Sequence, residues 1–306
     1  MELKPIYINP FTDFGFKKLF GNEQHPEILI DFLNQLLPHL QIITIKFKPN
    51  EHLSSVDSDR RAIFDLFCEN EKGEKFIVEL QKVKQNYFKD RSIFYSTFAV
   101  QEQAISGDWN FQLKAVYTIA ILDFVFNAPK ADETDLKNKD KVVCHVQLMD
   151  TTLNKVFYDK LTFVYLQMPN FKKTEKELAT RFDKWLFLIK NMSKWETERV
   201  DYQEDVFTKI LQISQLAKLS KEEREKYETS LKIYRDTKNS IDTAKLEGEA
   251  LGLQKGEALG LQKGEALGLE KGKREIAKKM LMAGIDAKQI AVFTNLSIIE
   301  INDLKS

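Results

Sequence analysis

Near the N-terminus, Thr12 to Gly21 reads as a short helix with Gly21 as its stop. A second helix follows, with Pro26 at its first position and Leu29, Phe32, Leu33, Leu36 and Leu37 on one face before Pro38. The apolar period then shortens to two. Ile42 to Phe47, Ala62 to Cys68 and Phe76 to Gln81 predict strands, and the last two form a hairpin around the polar stretch Glu69 to Lys75. Tyr87, Arg91, Phe94, Tyr95, Phe98 and Gln101 fall at helical spacing, which predicts a helix from Tyr87 ended by Gly107. Three further strands are predicted over Lys114 to Phe126, Val142 to Leu148 and Leu161 to Met168, and after Pro169 the pattern is helical through Trp185, Leu188 and Ile189 to about Tyr234. That order predicts the α/β class, a mixed sheet flanked by helices on both faces, with a C-terminal helical appendage.

The appendage begins with a tandem repeat, GEALGLQK, GEALGLQK, GEALGLEK, that places glycine at every fourth position from Gly248 to Gly272. Seven such glycines cost an isolated helix roughly 7 kcal/mol relative to alanine. No Glu-to-Lys pair at i,i+4 lies inside the repeat to offset this. Two readings remain: a flexible or weakly helical spacer, which we prefer, and a helix held by close approach of two backbones along the glycine stripe. A persistent seam of period four would wind right-handed. Beyond it, Ile276, Met280 and Leu281 share a face, Gly284 is a stop, and Asp286-x-x-Gln289 and Ser297-x-x-Glu300 read as capping boxes, so three short helices are expected. The last offers Ile298, Ile299 and Ile301 with only Lys305 as a cation, a poor surface for reading base edges, so an interaction or oligomerisation module is preferred over a helix-turn-helix. The expected organisation is a main domain over 1–235, the repeat spacer over 236–272 and a helical tail module over 273–306.

Composition fits this division, since 306 residues exceed what one core usually fills and 22 phenylalanines supply large core groups. With 46 basic and 46 acidic residues the net charge is zero, so any nucleic-acid site must be a local patch. Cys68 and Cys144 lie in apolar runs without metal-ligand spacing, which predicts two buried free thiols in a reducing compartment. His25, His39, His52 and His145 have no ligand spacing, and there is no P-loop, dinucleotide fingerprint or GxSxG elbow. Nothing reads as a signal or membrane-spanning segment, so a cytoplasmic location without a membrane partner is expected.

The hairpin carries the candidate chemistry. If Gly73 takes the left-handed position of the loop Glu71-Lys72-Gly73, Asn70 faces Glu74, Glu69 faces Lys75, Phe67 faces Ile77 and Asp65 faces Glu79. Asp65 and Glu79 then share a face as close cross-strand neighbours, with Gln81 next along it. Two carboxylates so placed repel unless a cation lies between them, and Mg²⁺, which takes one or two carboxylates and keeps several waters, is the ion that fits. Gln81 could hold water or a phosphate oxygen but could not act as a base. Lys82, Lys84, Lys89 and Arg91 follow immediately, opposed only by Asp90, and make the local basic patch. On spacing alone, an acidic residue on each of two strands is more often a solvated face than a metal site.

Phe64-Asp65-Leu66, Phe76-Ile77-Val78-Glu79-Leu80-Gln81, Arg91, Tyr95 and Gln101-Glu102-Gln103 resemble the Rpn-like recombination-promoting nuclease and putative transposase family of the PD-(D/E)XK superfamily. Thr12-Asp13-Phe14-Gly15-Phe16-Lys17-Lys18-Leu19-Phe20-Gly21 resembles that family's N-terminal signature, and Met168-Pro169-Asn170-Phe171 leading to Asp183-Lys184-Trp185-Leu186 adds a third landmark. The resemblance covers about residues 7–235. It implies a restriction-endonuclease-like fold and Mg²⁺-dependent DNA endonuclease activity, linked to recombination or mobile elements. Asp65 and Glu79 would be ligands of one or two metal ions, Gln81 the third catalytic member, and Lys82, Lys84, Lys89 and Arg91 contacts to DNA. Gln81 stands where the wider superfamily most often has lysine, although this family generally carries glutamine there. Asp13 is a further acidic landmark, read here as a favourable charge at a helix N-terminus. The rival expectations are a nuclease-fold protein that binds nucleic acid without cutting it, and a protein whose main role is homo-oligomerisation through the repeat or the tail.

Overall fold

Thr12 starts the first helix because its hydroxyl accepts the Gly15 N–H at 2.9 Å. Helix α1 (Asp13–Phe20) and helix α2 (Pro26–Leu36) bury Phe16, Leu19, Phe20, Leu29, Phe32, Leu33 and Leu36, the face their spacing predicts. The computed structural model describes residues 4–49, 51–52, 62–125, 141–199 and 204–304. It divides into two units, one ending at Arg235 and the other starting at Asp236.

In the first unit six strands form one mixed sheet: β1 (Ile45–Phe47), β4 (Leu66–Asn70), β5 (Lys75–Gln81), β6 (Val116–Leu122), β8 (Lys155–Gln167) and β7 (Val143–Asp150), in that order across the sheet. Strands β5, β6 and β8 run parallel, and the outer pairings are antiparallel. A separate two-stranded pair joins β2 (Glu51–His52) to β3 (Ala62–Ile63). Parallel neighbours need a crossover, and helix α3 (Phe88–Gln101) supplies it between β5 and β6.

Alternation along β5 divides the interior. Phe76, Val78 and Leu80 join the main core with α1, α2, α4 (Arg181–Asn191) and α5 (Asp205–Ser214), around Trp185, which packs against Phe20, Phe32 and Phe207. Ile77 lies on the opposite face with Phe64, Phe67, Ala99 and partly buried Tyr95 and Phe98, so this face is covered by α3. The same parity puts Glu79 and Gln81 on the α3 side.

Several expectations need correction. Ala62 to Cys68 is not one strand: it breaks at Phe64 and Asp65, where the Asp65 N–H leaves the ladder for the Glu79 carboxylate at 3.3 Å. Helix α3 stops at Gln101 rather than at Gly107. There the Gln103 side chain donates to the Ala99 carbonyl at 3.1 Å and accepts the Lys114 N–H at 2.7 Å, tying the helix end to the next strand. Strand β6 is shorter than Lys114 to Phe126, and Phe126 lies outside the described residues. Strand β1 begins at Ile45, not Ile42. Strand β8 starts at Lys155, well before Leu161, because its first half is exposed and carries no apolar alternation to read. Cys68 is buried, as expected, but Cys144 is only partly so.

Helix α6 (Lys221–Met282) runs unbroken through the glycine repeat, so of the flexible and helical forms expected of the spacer it is the helical one that is seen. Strong helix formers fill the positions between glycines, and ion pairs at i,i+4 stand at the two ends of the repeat, Lys245 with Glu249 at 3.8 Å and Arg274 with Glu270 at 2.8 Å. In the second unit α7 (Ala287–Thr294) and α8 (Ile298–Asp303) close a small core of Ala277, Ile290, Leu296 and Ile301. Ser297 and Glu300 make the reciprocal capping box, whereas Asp286 caps through the Lys288 N–H at 3.1 Å. Lys305 lies outside the described residues.

Candidate active site

Gly73 sits at φ +78°, and its N–H donates to the Asn70 carbonyl at 3.0 Å while the Asn70 N–H donates to the Glu74 carbonyl at 3.0 Å. This turn sets the register Glu69 to Lys75, Phe67 to Ile77 and Leu66 to Val78. One step further along that register, Asp65 stands opposite Glu79.

Each carboxylate is held by a main-chain N–H of the facing segment. Glu79 accepts the Asp65 N–H at 3.3 Å, and Asp65 Oδ2 accepts the Leu80 N–H at 2.7 Å. Burial pushes the Asp65 carboxyl above its ordinary range, and the Asp13 charge adds to the push against the Leu80 bond, Lys17 and Lys82. Burial and the Asp65 charge together push Glu79 up to about 8, against the Asp65 N–H, Arg91 and Lys17.

Asp13 therefore acts on this site, which the sequence did not disclose. It opens α1 and pairs with Lys17 at 3.1 Å. Its signature position marked it as a landmark, but no periodicity says that the start of α1 meets the open end of the hairpin. Tyr95, on α3, has its phenol raised by burial and by Glu79 and Asp65, so it faces the same carboxylates.

The four cations divide. Lys82 is half-buried, its pKa lowered by burial and supported by Asp13 and Asp65, so it belongs with the carboxylates. Arg91 donates to the buried Gln81 side-chain carbonyl and to Gln85, with its guanidinium 5.4 Å from the Phe88 ring and 5.7 Å from the Tyr95 ring. Lys84 and Lys89 point outward and are exposed. Glu102, by contrast, serves structure: it binds Lys48 at 2.9 Å and Lys75 at 3.1 Å beside Glu69.

Among the described residues no group of three or more His, Cys, Asp or Glu side chains is placed to hold a metal ion. The donor set at the hairpin is an open pair of hard carboxylate oxygens whose charged forms are both disfavoured as they stand. An open pair suits an ion that keeps several waters, as Mg²⁺ does, and does not suit one that requires an all-protein shell.

In comparison with known proteins, the family model described as PD-(D/E)XK nuclease family transposase matches residues 10–244. No curated protein and no solved structure matches the chain. The six-stranded mixed sheet with flanking helices is consistent with the restriction-endonuclease-like α/β fold.

Proposed function

The chain belongs to the PD-(D/E)XK nuclease family transposases, and from that membership and the hairpin geometry we propose that it is a Mg²⁺-dependent DNA endonuclease, working in the recombination or movement of DNA. The observation that carries the reading is the Asp65 and Glu79 pair, two sheltered carboxylates facing each other where β5 meets the break before β4, each raised in pKa, Glu79 anchored by the Asp65 N–H and Asp65 by the Leu80 N–H. That arrangement is destabilising for an uncharged purpose and useful for holding a cation.

Asp65 and Glu79 would hold one or two divalent ions, with Asp13 adding negative charge at longer range. The bound ion would supply Lewis acidity toward a phosphodiester and lower the pKa of a coordinated water. The residues of the chain do the rest. Gln81, its carbonyl engaged by Arg91, keeps its NH₂ group to donate to a phosphate oxygen. Arg91 fixes that orientation. Lys82 supplies a cation next to the carboxylates, one position beyond the lysine of the wider superfamily. Lys84 and Lys89, exposed where the chain leaves β5, would contact the DNA backbone. The reading is tested by incubating a duplex with the full chain in Mg²⁺ or in EDTA: nicks or linear product should require Mg²⁺ and vanish in Asp65→Ala, and equal cleavage by the variant overturns it.

A further inference from the structure

A second recess opens at the other end of the same sheet. Glu79 lies near the C-terminal end of β5, with Asp65 facing it, while this recess gathers residues at and before the N-terminal ends of the parallel strands, Glu74 ahead of β5 and Ala115 ahead of β6. The length of β5 separates the two by roughly 20 Å at about 3.3 Å per residue. Its volume is about 690 Å³, within the range of small-molecule pockets.

Basic side chains converge on it from separate parts of the chain: Lys72 from the hairpin loop, Lys114 before β6 and Lys160 on β8, with the imidazoles of His39 after α2 and His145 on β7. Two of these ammonium groups donate to main-chain carbonyls, Lys72 to Leu40 and Lys160 to Leu113, and Glu71 lies close enough to Lys72 to feel its charge. The Lys114 ammonium has no ion-pair partner among the described residues. The opposing carboxylates are Asp159 and Glu74, which accepts from the Asn70 amide at 2.7 Å; with burial, their charges push the Tyr117 phenol up, so the three lysines outnumber rather than stand alone against them. Burial first, then Lys141 and His39, push the His145 pKa down, so the neutral ring is favoured and offers the recess a hydrogen bond. The rest of the lining is apolar along Leu37, Leu40, Leu113, Ala115 and Tyr117, interrupted by the polar side chains of Gln112, Gln147 and Thr162. Fixed donors and cations beside an apolar wall match a ligand with an anionic end and a flat, poorly hydrated body.

We propose that this recess binds a nucleoside phosphate, as a site separate from the catalytic hairpin. The phosphate meets Lys72, Lys114, Lys160 and the two histidines, and the base lies against Leu37, Leu40 and Tyr117.

The test is calorimetric titration of the full chain with ATP in EDTA, so that no metal bridges the nucleotide to the hairpin. Wild type and Asp65→Asn should bind alike, and Lys114→Glu and His145→Ala, checked for unchanged melting, should bind about tenfold more weakly or worse. Inorganic phosphate should bind more weakly than ATP, because it leaves the apolar wall empty, and equal binding would overturn the nucleoside assignment. Absence of ATP binding by wild type, or undiminished binding by both recess variants, overturns the site. A duplex whose retention is weakened by Lys114→Glu while ATP does not bind would make the recess a DNA-backbone contact and also overturn the proposal.

Discussion

Arg91 donates its guanidinium to the side-chain carbonyl of Gln81, across the gap between α3 and the end of β5. The guanidinium plane also lies over Phe88 and Tyr95, so its direction is fixed by rings as well as by the bond. Lysine lacks both the planar fork and that stacking. Arg91→Ala should slow cleavage roughly tenfold or more, and Arg91→Lys should not restore it, with melting little changed. Rates equal to wild type would remove Arg91 from the site.

The carboxylate pair makes a prediction about stability. Asp65 and Glu79 are both raised in the folded chain, Glu79 to about 8, so folding favours their protonated forms. The stability they contribute is fully present below the ordinary carboxylate range and is lost as pH rises through about 8. In EDTA, Asp65→Asn should therefore gain on wild type in a urea melt as pH goes from about 6 to about 9. Mg²⁺ should stabilise wild type increasingly over the same range, because cation and proton compete. A wild-type and variant difference that does not change with pH would contradict the coupling.

The register of this pair was legible because a left-handed glycine in a short loop counts pairing outward in equal steps. Gly73, Asn70 and Glu74 obey that count. Helix α2 was legible from apolar spacing, because burial on one face imposes a period, and α1 from its glycine stop at Gly21. What the sequence did not yield depends on contacts distant along the chain. Asp13 reaches the site through packing of α1, and the inward turn of Lys82 and Arg91, against the outward Lys84 and Lys89, depends on where β5 ends and α3 begins. The first half of β8 carries no alternation because its exposed residues have no buried face to match.

Gly15 fixes the placement of α1. A methyl group there would lie 2.1 Å from the Asn9 carbonyl oxygen and 2.8 Å from the Thr12 hydroxyl. That hydroxyl is also the cap, bonded to the Asn9 carbonyl at 2.7 Å and to the Gly15 N–H at 2.9 Å. Gly15→Ala should destabilise the chain by about 1–3 kcal/mol and lower activity by displacing Asp13 and Lys17. An unchanged denaturation midpoint would show that the loop yields freely.

The outward lysines should act through charge alone. Lys84→Ala and Lys89→Ala should each weaken duplex binding equally for different sequences and reduce the slope of log affinity against log salt by about 0.9. A sequence-dependent loss would instead assign them to base edges.

The central claim is that Asp65 and Glu79 carry metal-dependent hydrolysis, and single-turnover cleavage of one labelled duplex by wild type, Asp65→Asn and Glu79→Gln, with binding measured in parallel, tests it most directly. All three proteins should retain the duplex, wild type should cut it only with Mg²⁺, and each variant should be slower by at least about a hundredfold. Retention by all three with cleavage by none, or cleavage by the variants at the wild-type rate, would contradict the account.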